Sequence, residues 1–139
     1  MSGLFLPRAV ADTLLSHARA EEPNEACGLL AGSLTTGHAS AYHAARNAEE
    51  SPLRYTVHPD DLLHITLAID DGGEELLAIF HSHTRSPAVP SATDLREARY
   101  PEPFYLLASL SESGAPPERA LRAWRITDGQ SAEVPLAIG

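Results

Sequence analysis

The feature that most constrains this chain is a continuous apolar run, residues 76–80, that leads directly into His81 and His83. An uninterrupted apolar run of this length is typical of a β-strand covered on both faces. Side chains two residues apart on a strand leave the same face. The pattern therefore predicts a buried strand that points two imidazoles together at its end.

A third polar group follows after a loop that contains two prolines. Ser91 opens the pattern Ser-Ala-Thr-Asp, which is typical of a helix N-terminus with Ser91 as the N-cap and Asp94 in the first turn. Two imidazoles and one carboxylate form a usual protein ligand set of a catalytic zinc, which leaves a fourth position open for water. A structural zinc is usually closed by four ligands, mostly cysteines, and this chain has one cysteine.

Each of these pieces has a simpler explanation when taken alone. Paired histidines can be hydrogen-bonded residues at a strand end, and Ser-x-x-Asp can be only a helix cap. The combination of His-x-His, a turn-rich loop and Ser-x-x-Asp is much harder to explain by capping alone. We therefore expect His81, His83 and Asp94 to hold a catalytic metal.

These residues resemble the motif of the JAMM (MPN+) metalloproteases. That motif has an upstream Glu, then His-x-His, then ten residues and an Asp, with a Ser three positions before the Asp. The segment 25–32, E-A-C-G-L-L-A-G, is similar to the family's E-x-C-G-L-L-x-G strand and places Glu25 at the position of the upstream Glu. Thr84 stands where the family usually carries proline, and we expect it to change loop stiffness rather than metal binding.

The resemblance implies a role for each matching residue. His81, His83 and Asp94 would hold Zn²⁺. Glu25 would be the general base that takes a proton from water and returns it to the departing amine. Ser91 would donate a hydrogen bond to the developing oxyanion.

Two interpretations of the segment 25–32 depend on this resemblance. Without the downstream motif, Glu25 would be interpreted as a solvent-exposed residue at the edge of a strand. Alternation along the predicted strand puts Glu25, Cys27 and Leu29 on one side. We expect Cys27 to be a structural, buried thiol, which is far commoner than a redox switch.

Activity and partner also follow from the resemblance. Family members cleave peptide or isopeptide bonds at the C-terminal glycine tail of ubiquitin-like proteins, and some prokaryotic relatives process sulfur-carrier proteins of the same fold. The expected function is therefore a small, stand-alone prokaryotic-type metallopeptidase whose partner is a ubiquitin-like or sulfur-carrier protein with a Gly-Gly tail. Such a tail could dock by strand addition. The kind of bond cleaved and the oligomeric state stay open.

Three alternatives from other classes remain. A metal-free MPN-type scaffold would lack these ligands, and zinc content would decide. A 2-His-1-carboxylate site could hold Fe(II) in an oxygenase, although that class more often shows His-x-Asp/Glu with a distant second His. A cupin would need a Glu shortly after the histidine pair and a further His, and neither occurs.

Composition sets further limits. A length of 139 residues fits a single domain, 1–139. The formal net charge of −9 argues against a nucleic-acid partner, since affinity for phosphate backbones comes from clustered Lys and Arg. No apolar run approaches the roughly 20 residues that span a bilayer, so we expect no membrane partner and a cytoplasmic location, with which a single cysteine agrees.

The predicted fold is a mixed α/β single domain, a curved and mostly antiparallel sheet flanked by two longer helices and one short one. This is also the JAMM/MPN (cytidine-deaminase-like) architecture that the resemblance implies. The predicted helices begin at Pro7, His58 and Ser91. The first is expected to end near residues 21–23 and the third near 99, and the second is followed by a turn at 71–73. The predicted strands are 4–6, 25–32, 37–45, 55–57, 76–80, 104–110, 121–127 and 133–136. Residues 111–117 are expected to form a flexible loop.

Overall fold

The apolar run at 76–80 lies inside the central strand of the structure, a computed structural model that describes residues 3–139. The strands are β1 Leu4–Leu6, β2 Cys27–Gly32, β3 Ala39–Ala45, β4 Glu75–His83, β5 Phe104–Ser109, β6 Leu121–Thr127, β7 Gln130–Val134 and β8 Leu136–Ile138. The helices are α1 Arg8–Glu21, α2 Pro59–Asp71, α3 Ala92–Glu97 and α4 Pro117–Ala120.

Six strands form the main sheet in the order β3-β2-β4-β5-β6-β7, and β1 and β8 form a separate parallel pair. Neighbours in the main sheet are antiparallel except for β4 and β5, which are parallel and are joined through α3. The predicted mixed α/β fold with a mostly antiparallel sheet is thereby confirmed. Among residues 3–139, no helix combines the length and the apolar character needed to cross a membrane.

Apolar side chains cover both faces of the main sheet. One core contains α1 residues such as Leu14 together with Phe80 and Leu106, and the other contains Ile69 of α2 together with Ile79. Because both faces are covered, seven consecutive residues of β4 are buried, from Leu77 to His83. This explains the uninterrupted apolar run in the sequence.

A register shift between β2 and β4 makes Leu77 an extra residue in β4. Such a bulge changes which side chains face which side of a sheet. Beyond it, Phe80 packs into the core on the α1 side, whereas Ile79 packs into the core on the α2 side. His81 and His83 follow Ile79 at a spacing of two, so they face the α2 side.

The helix starts agree with their local chemistry. Pro7 precedes α1, and Pro59 occupies the first turn of α2, where a missing N–H costs nothing. His58 caps α2, because its side chain accepts a hydrogen bond from Asp60 N at 3.2 Å. His58 thus has a structural role at the start of this helix.

Two predicted strands differ from the structure near the N-terminal half of the sheet. The predicted strand 25–32 begins only at Cys27, so Glu25 lies in the segment before β2 and does not share a strand face with Cys27. The predicted strand 55–57 is wrong. A single bridge between Asn47 and Val57 replaces it, and side-chain hydrogen bonds of Asn47 also hold this segment.

Further corrections concern the C-terminal part. The helix predicted to reach Arg99 ends at Glu97, because Ala98 is already extended. The short helix α4 is absent from the prediction, and it begins at the last residue of the segment 111–117 that was expected to be a loop. The single strand predicted at 133–136 is wrong. Pro135 separates β7, at the edge of the main sheet, from β8, which pairs with β1, and proline cannot donate to a ladder.

Candidate metal and catalytic site

Three side-chain atoms of His81, His83 and Asp94 converge on one point. His81 Nε2 lies 3.3 Å from His83 Nε2, and Asp94 Oδ2 lies 3.1 Å from His81 Nε2 and 3.0 Å from His83 Nε2. Ligand bonds of 2.0–2.1 Å in a tetrahedral zinc site would separate the ligand atoms by about 3.3 Å. The three predicted ligands are thus brought together at a spacing that suits a small metal ion.

Hydrogen bonding orients His83 for this role. Its Nδ1 lies 2.7 Å from the carbonyl oxygen of Pro87, which can only accept, so Nδ1 carries a proton. Nε2 is thereby directed at Asp94 Oδ2, 3.0 Å away. Burial acts to lower the pKa of His83, but its hydrogen bond with Asp94 outweighs this and raises that pKa. A bound metal ion would take the place of the proton on Nε2, and imidazoles that bind metals are commonly oriented by a carbonyl in this way.

His81 is held by packing. Its ring stacks on Tyr55 with centroids 4.3 Å apart and planes 19° apart. Its Nδ1 is buried without a hydrogen-bond partner among residues 3–139. Burial lowers the pKa of His81, and this outweighs the opposing influence of Asp94. The ring is therefore neutral, which is the form that binds metal.

A capping box positions Asp94. Ser91 Oγ accepts from Asp94 N at 3.0 Å, and Asp94 Oδ2 accepts from Ser91 N at 2.9 Å. The predicted N-cap at Ser91 is confirmed. Burial acts to raise the pKa of Asp94, but hydrogen bonds with His81 and His83 outweigh it and hold that pKa far below its ordinary range. The same oxygen thus caps α3 and faces both imidazoles as a carboxylate.

Glu25 lies beside this cluster with its backbone fixed on both sides. Its N–H donates to Ser51 O at 2.8 Å, and its carbonyl accepts from Asn47 Nδ2 at 3.0 Å. The residue is 4% exposed, and Glu25 Oε1 has no hydrogen-bond partner among residues 3–139. Glu25 is therefore not the exposed strand-edge residue that the sequence alone would suggest.

Burial sets the proton affinity of Glu25. It raises the pKa of Glu25 to about 7, with His83 lowering that pKa and Asp94 raising it by smaller amounts. A carboxyl group with a pKa near neutrality can both accept and release a proton, as general acid–base catalysis requires. The environment therefore suits the role that the sequence motif implies.

Each of two cavities is lined by a residue of the cluster, the first by His83 and the second by Asp94. The first, of about 630 Å³, is lined by Glu25, His83, Arg85 and Ser91. The second, of about 250 Å³, is lined mainly by apolar and aromatic side chains. Its lining includes Asp94 of the cluster and Tyr55, which stacks on His81. Both cavities therefore border the three candidate ligands. We call the first the Glu25 cavity and the second the Tyr55 cavity.

Three supporting residues were not found by sequence reasoning. Ser82 lies between the two histidines and hydrogen-bonds Ala26, which precedes β2. Asn47 holds Glu25, and Tyr55 stacks on His81. Alternation gives a partial signal for Ser82, since it must face away from the histidines, but the contacts of Asn47 and Tyr55 arise only from the fold.

Cys27 is buried and its Sγ lies 3.5 Å from the carbonyl oxygen of Arg46. Burial raises the pKa of Cys27 to about 12, so the residue is a thiol at neutral pH rather than a reactive thiolate. This agrees with its predicted structural role.

Comparison with known proteins agrees with the geometry. Residues 7–127 match the model of the prokaryotic homologs of the JAB domain. The chain is 35% identical over 135 residues to the CysO-cysteine peptidase of Mycobacterium tuberculosis, and the aligned region covers 97% of this chain and 90% of that protein. It is 32% identical over 142 residues to the desampylase of Haloferax volcanii, and this alignment covers 99% of this chain and 97% of the desampylase. A solution structure from Desulfitobacterium hafniense, 30% identical, covers 99% of this chain and 93% of that one with a TM-score of 0.88.

The fold and these relatives define a hydrolytic enzyme, a peptidase of the JAMM type. The chain belongs to the family of prokaryotic homologs of the JAB domain. The predicted family is confirmed, and so is its class as an enzyme. The metal-free scaffold, the oxygenase and the cupin are therefore set aside.

Proposed function

We propose that this chain is a zinc-dependent peptidase that hydrolyses the bond after the C-terminal Gly-Gly tail of a ubiquitin-like or sulfur-carrier protein. The observation that carries the proposal is the convergence of His81 Nε2, His83 Nε2 and Asp94 Oδ2 beside the buried carboxyl group of Glu25. The donor set of two imidazoles and one carboxylate is that of catalytic zinc sites.

Zinc held by His81, His83 and Asp94 would supply Lewis acidity, lowering the pKa of water to about 7 and polarising the scissile carbonyl. The chain's own residues supply the proton transfers. Glu25 takes one proton from the attacking water, and the hydroxyl adds to the acyl carbon. Glu25 then delivers that proton to the leaving nitrogen as the C–N bond breaks. The products are an acid and a free amine, so every atom of the water is accounted for.

Ser91 is placed to stabilise the oxyanion. Its Oγ accepts the hydrogen bond from Asp94 N through a lone pair, which leaves the hydroxyl proton free to donate. Ser91 lines the Glu25 cavity together with Glu25 and His83. Removing one such donor typically costs about 10²–10³ in kcat.

The relatives support the substrate class. One is named for CysO-cysteine and another is a desampylase. The Tyr55 cavity holds about 250 Å³ between apolar walls, which suits an extended tail of glycines without side chains. We therefore place the carrier tail in the Tyr55 cavity and the leaving group in the Glu25 cavity.

The test combines metal content with hydrolysis. After incubation with zinc, the purified protein is expected to hold about one zinc per chain by mass spectrometry and to release cysteine from CysO-cysteine. A His81→Ala/His83→Ala variant should lose both properties. A His43→Ala/His64→Ala variant removes two histidines outside the cluster and should keep both. A wild type that binds no zinc, or that binds iron preferentially, would contradict the proposed metal, and a zinc-loaded protein without hydrolysis would contradict the substrate.

A further inference from the structure

We propose that Arg85 recognises a free α-carboxylate on the leaving group, so that the preferred substrate carries a single amino acid after its carrier tail. This inference rests on the proposed function, which leaves open whether the scissile bond is a peptide or an isopeptide bond, and it favours the peptide bond to a single amino acid. Arg85 would act as a specificity-determining residue, in contact with substrate but without a part in the proton transfers.

The position of the leaving group follows from the position of Glu25. The leaving nitrogen must come within hydrogen-bonding reach of the carboxyl group that protonates it. Glu25 lines the Glu25 cavity, together with Ser91. The Tyr55 cavity is lined by Asp94 but not by Glu25. The group released with the nitrogen therefore occupies the Glu25 cavity.

Arg85 is the cationic side chain of that cavity. It follows the ligand His83 by two residues and lines the same cavity as Glu25 and Ser91. Within residues 3–139 it takes part in no ion pair, whereas Arg46 is held by Asp61 at 2.9 Å and Arg54 by Glu97 at 2.7 Å. An arginine without a carboxylate partner, in a protein with a formal net charge of −9, is available for an anionic ligand.

The chemistry of the leaving group then separates the candidate substrates. In a single amino acid released through its α-nitrogen, the carboxylate is attached to the carbon next to that nitrogen. In an isopeptide, the same place holds a lysine methylene, and in an internal peptide bond it holds a neutral amide. Arginine binds carboxylates through two parallel charge-assisted hydrogen bonds, so only the first substrate would make that contact.

The rest of the cavity suits an amino-acid side chain. Pro23, Pro52 and Leu53 give it an apolar wall, and Leu53 is 80% exposed. Glu22 also lines the cavity and is exposed. A negative charge in the cavity disfavours a second anionic group on the substrate, so the lining favours a leaving group with one carboxylate and an apolar or small side chain.

The experiment compares CysO-cysteine with CysO-cysteinamide, two substrates that differ only in the terminal carboxylate. The zinc-loaded wild type should show a kcat/KM about 10- to 100-fold higher for the carboxylate form. Arg85→Ala should lose this preference by slowing cleavage of the carboxylate form alone. Arg85→Lys should keep part of the preference, because it retains the charge but not the bidentate geometry.

Arg19→Ala is the matched control. Arg19 is exposed in the last turn of α1 and lines neither of the two cavities, so its removal makes the same charge change without touching the leaving group. Equal cleavage of both substrates by the wild type would overturn the role of Arg85 while leaving the proposed function in place, and so would an equal loss on both substrates in Arg85→Ala. A zinc-loaded wild type that cleaves neither would overturn the proposed function and this inference with it.

Discussion

Ser82 and Ala26 exchange two hydrogen bonds where the ladder between β2 and β4 ends. Ser82 N donates to Ala26 O at 3.0 Å, and Ala26 N donates to Ser82 Oγ at 2.9 Å. The Ser82 hydroxyl thus accepts the hydrogen bond from Ala26 N that a backbone carbonyl would accept in a regular antiparallel ladder. It thereby ties the residue between the two histidines to the residue after Glu25, and so sets the distance between the base and the metal ligands.

Replacing Ser82 with Ala should therefore affect both stability and catalysis. The buried N–H of Ala26 would lose its acceptor, which costs about 1–3 kcal/mol. Turnover should fall while zinc binding persists, since Glu25 would shift but the ligands would not. Urea unfolding and hydrolysis measure the two effects. Ser16→Ala, an exposed change on α1, should stay within about 0.5 kcal/mol of the wild type, and equal stability of both variants would contradict the role given to Ser82.

Replacing Glu25 with Gln should separate metal binding from turnover. Gln keeps the size of the side chain but cannot accept and return a proton, so kcat should fall by about 10²–10⁴. Zinc content should remain that of the wild type, because Glu25 is not one of the three converging ligands. Glu21→Gln, at the exposed end of α1, serves as the control. Full activity in Glu25→Gln would remove Glu25 from the mechanism.

Substitutions at Ser91 should distinguish its two roles. Ser91→Ala removes both the cap and the hydroxyl donor, at a cost of about 0.5–2 kcal/mol in stability, whereas Ser91→Gly costs only a few tenths because glycine is tolerated as an N-cap. If the hydroxyl stabilises the oxyanion, both variants should lose about 10²–10³ in kcat despite their different stabilities. Ser91→Thr, which keeps the hydroxyl, should retain activity. A Gly variant with normal kcat would show that Ser91 acts only as a cap.

The ion pair between Arg46 and Asp61 should give a pH dependence to stability. Hydrogen bonds from the Arg46 side chain and backbone lower the pKa of Asp61 from 3.8 to about 2. Because the folded pKa lies below the unfolded one, the pair contributes stability above about pH 4 and loses it as the pH falls toward 2. Its surface position keeps this contribution small, because solvent screens the attraction between exposed charges.

Asp61→Asn should lack this dependence. The difference in unfolding free energy between wild type and variant should therefore be largest near neutral pH and should shrink between pH 4 and 2. Urea unfolding at a series of pH values, with metal removed by chelation, measures it. A difference that stays constant over this range would show that Asp61 does not stabilise the fold through its charge.

Local pattern alone was enough for several elements of this protein. The helix after Pro7, the cap at Ser91 and the shared face of His81 and His83 depend on residues within a few positions of one another. Their physical causes are proline geometry, a side-chain hydrogen bond within one turn and the two-residue repeat of a strand. Sequence could therefore predict that two imidazoles and a carboxylate would be presented from a strand end and from a first helical turn.

Long-range contacts decided the rest. The bulge at Leu77, the pairing of β8 with β1 and the stacking of Tyr55 on His81 join residues far apart in the chain, and no local period encodes them. The burial of Glu25 belongs to the same group, because Asn47 and Ser51 come from a distant loop. The sequence by itself determined which groups can bind metal and move protons, and tertiary packing decided their separation, their burial and hence their proton affinities.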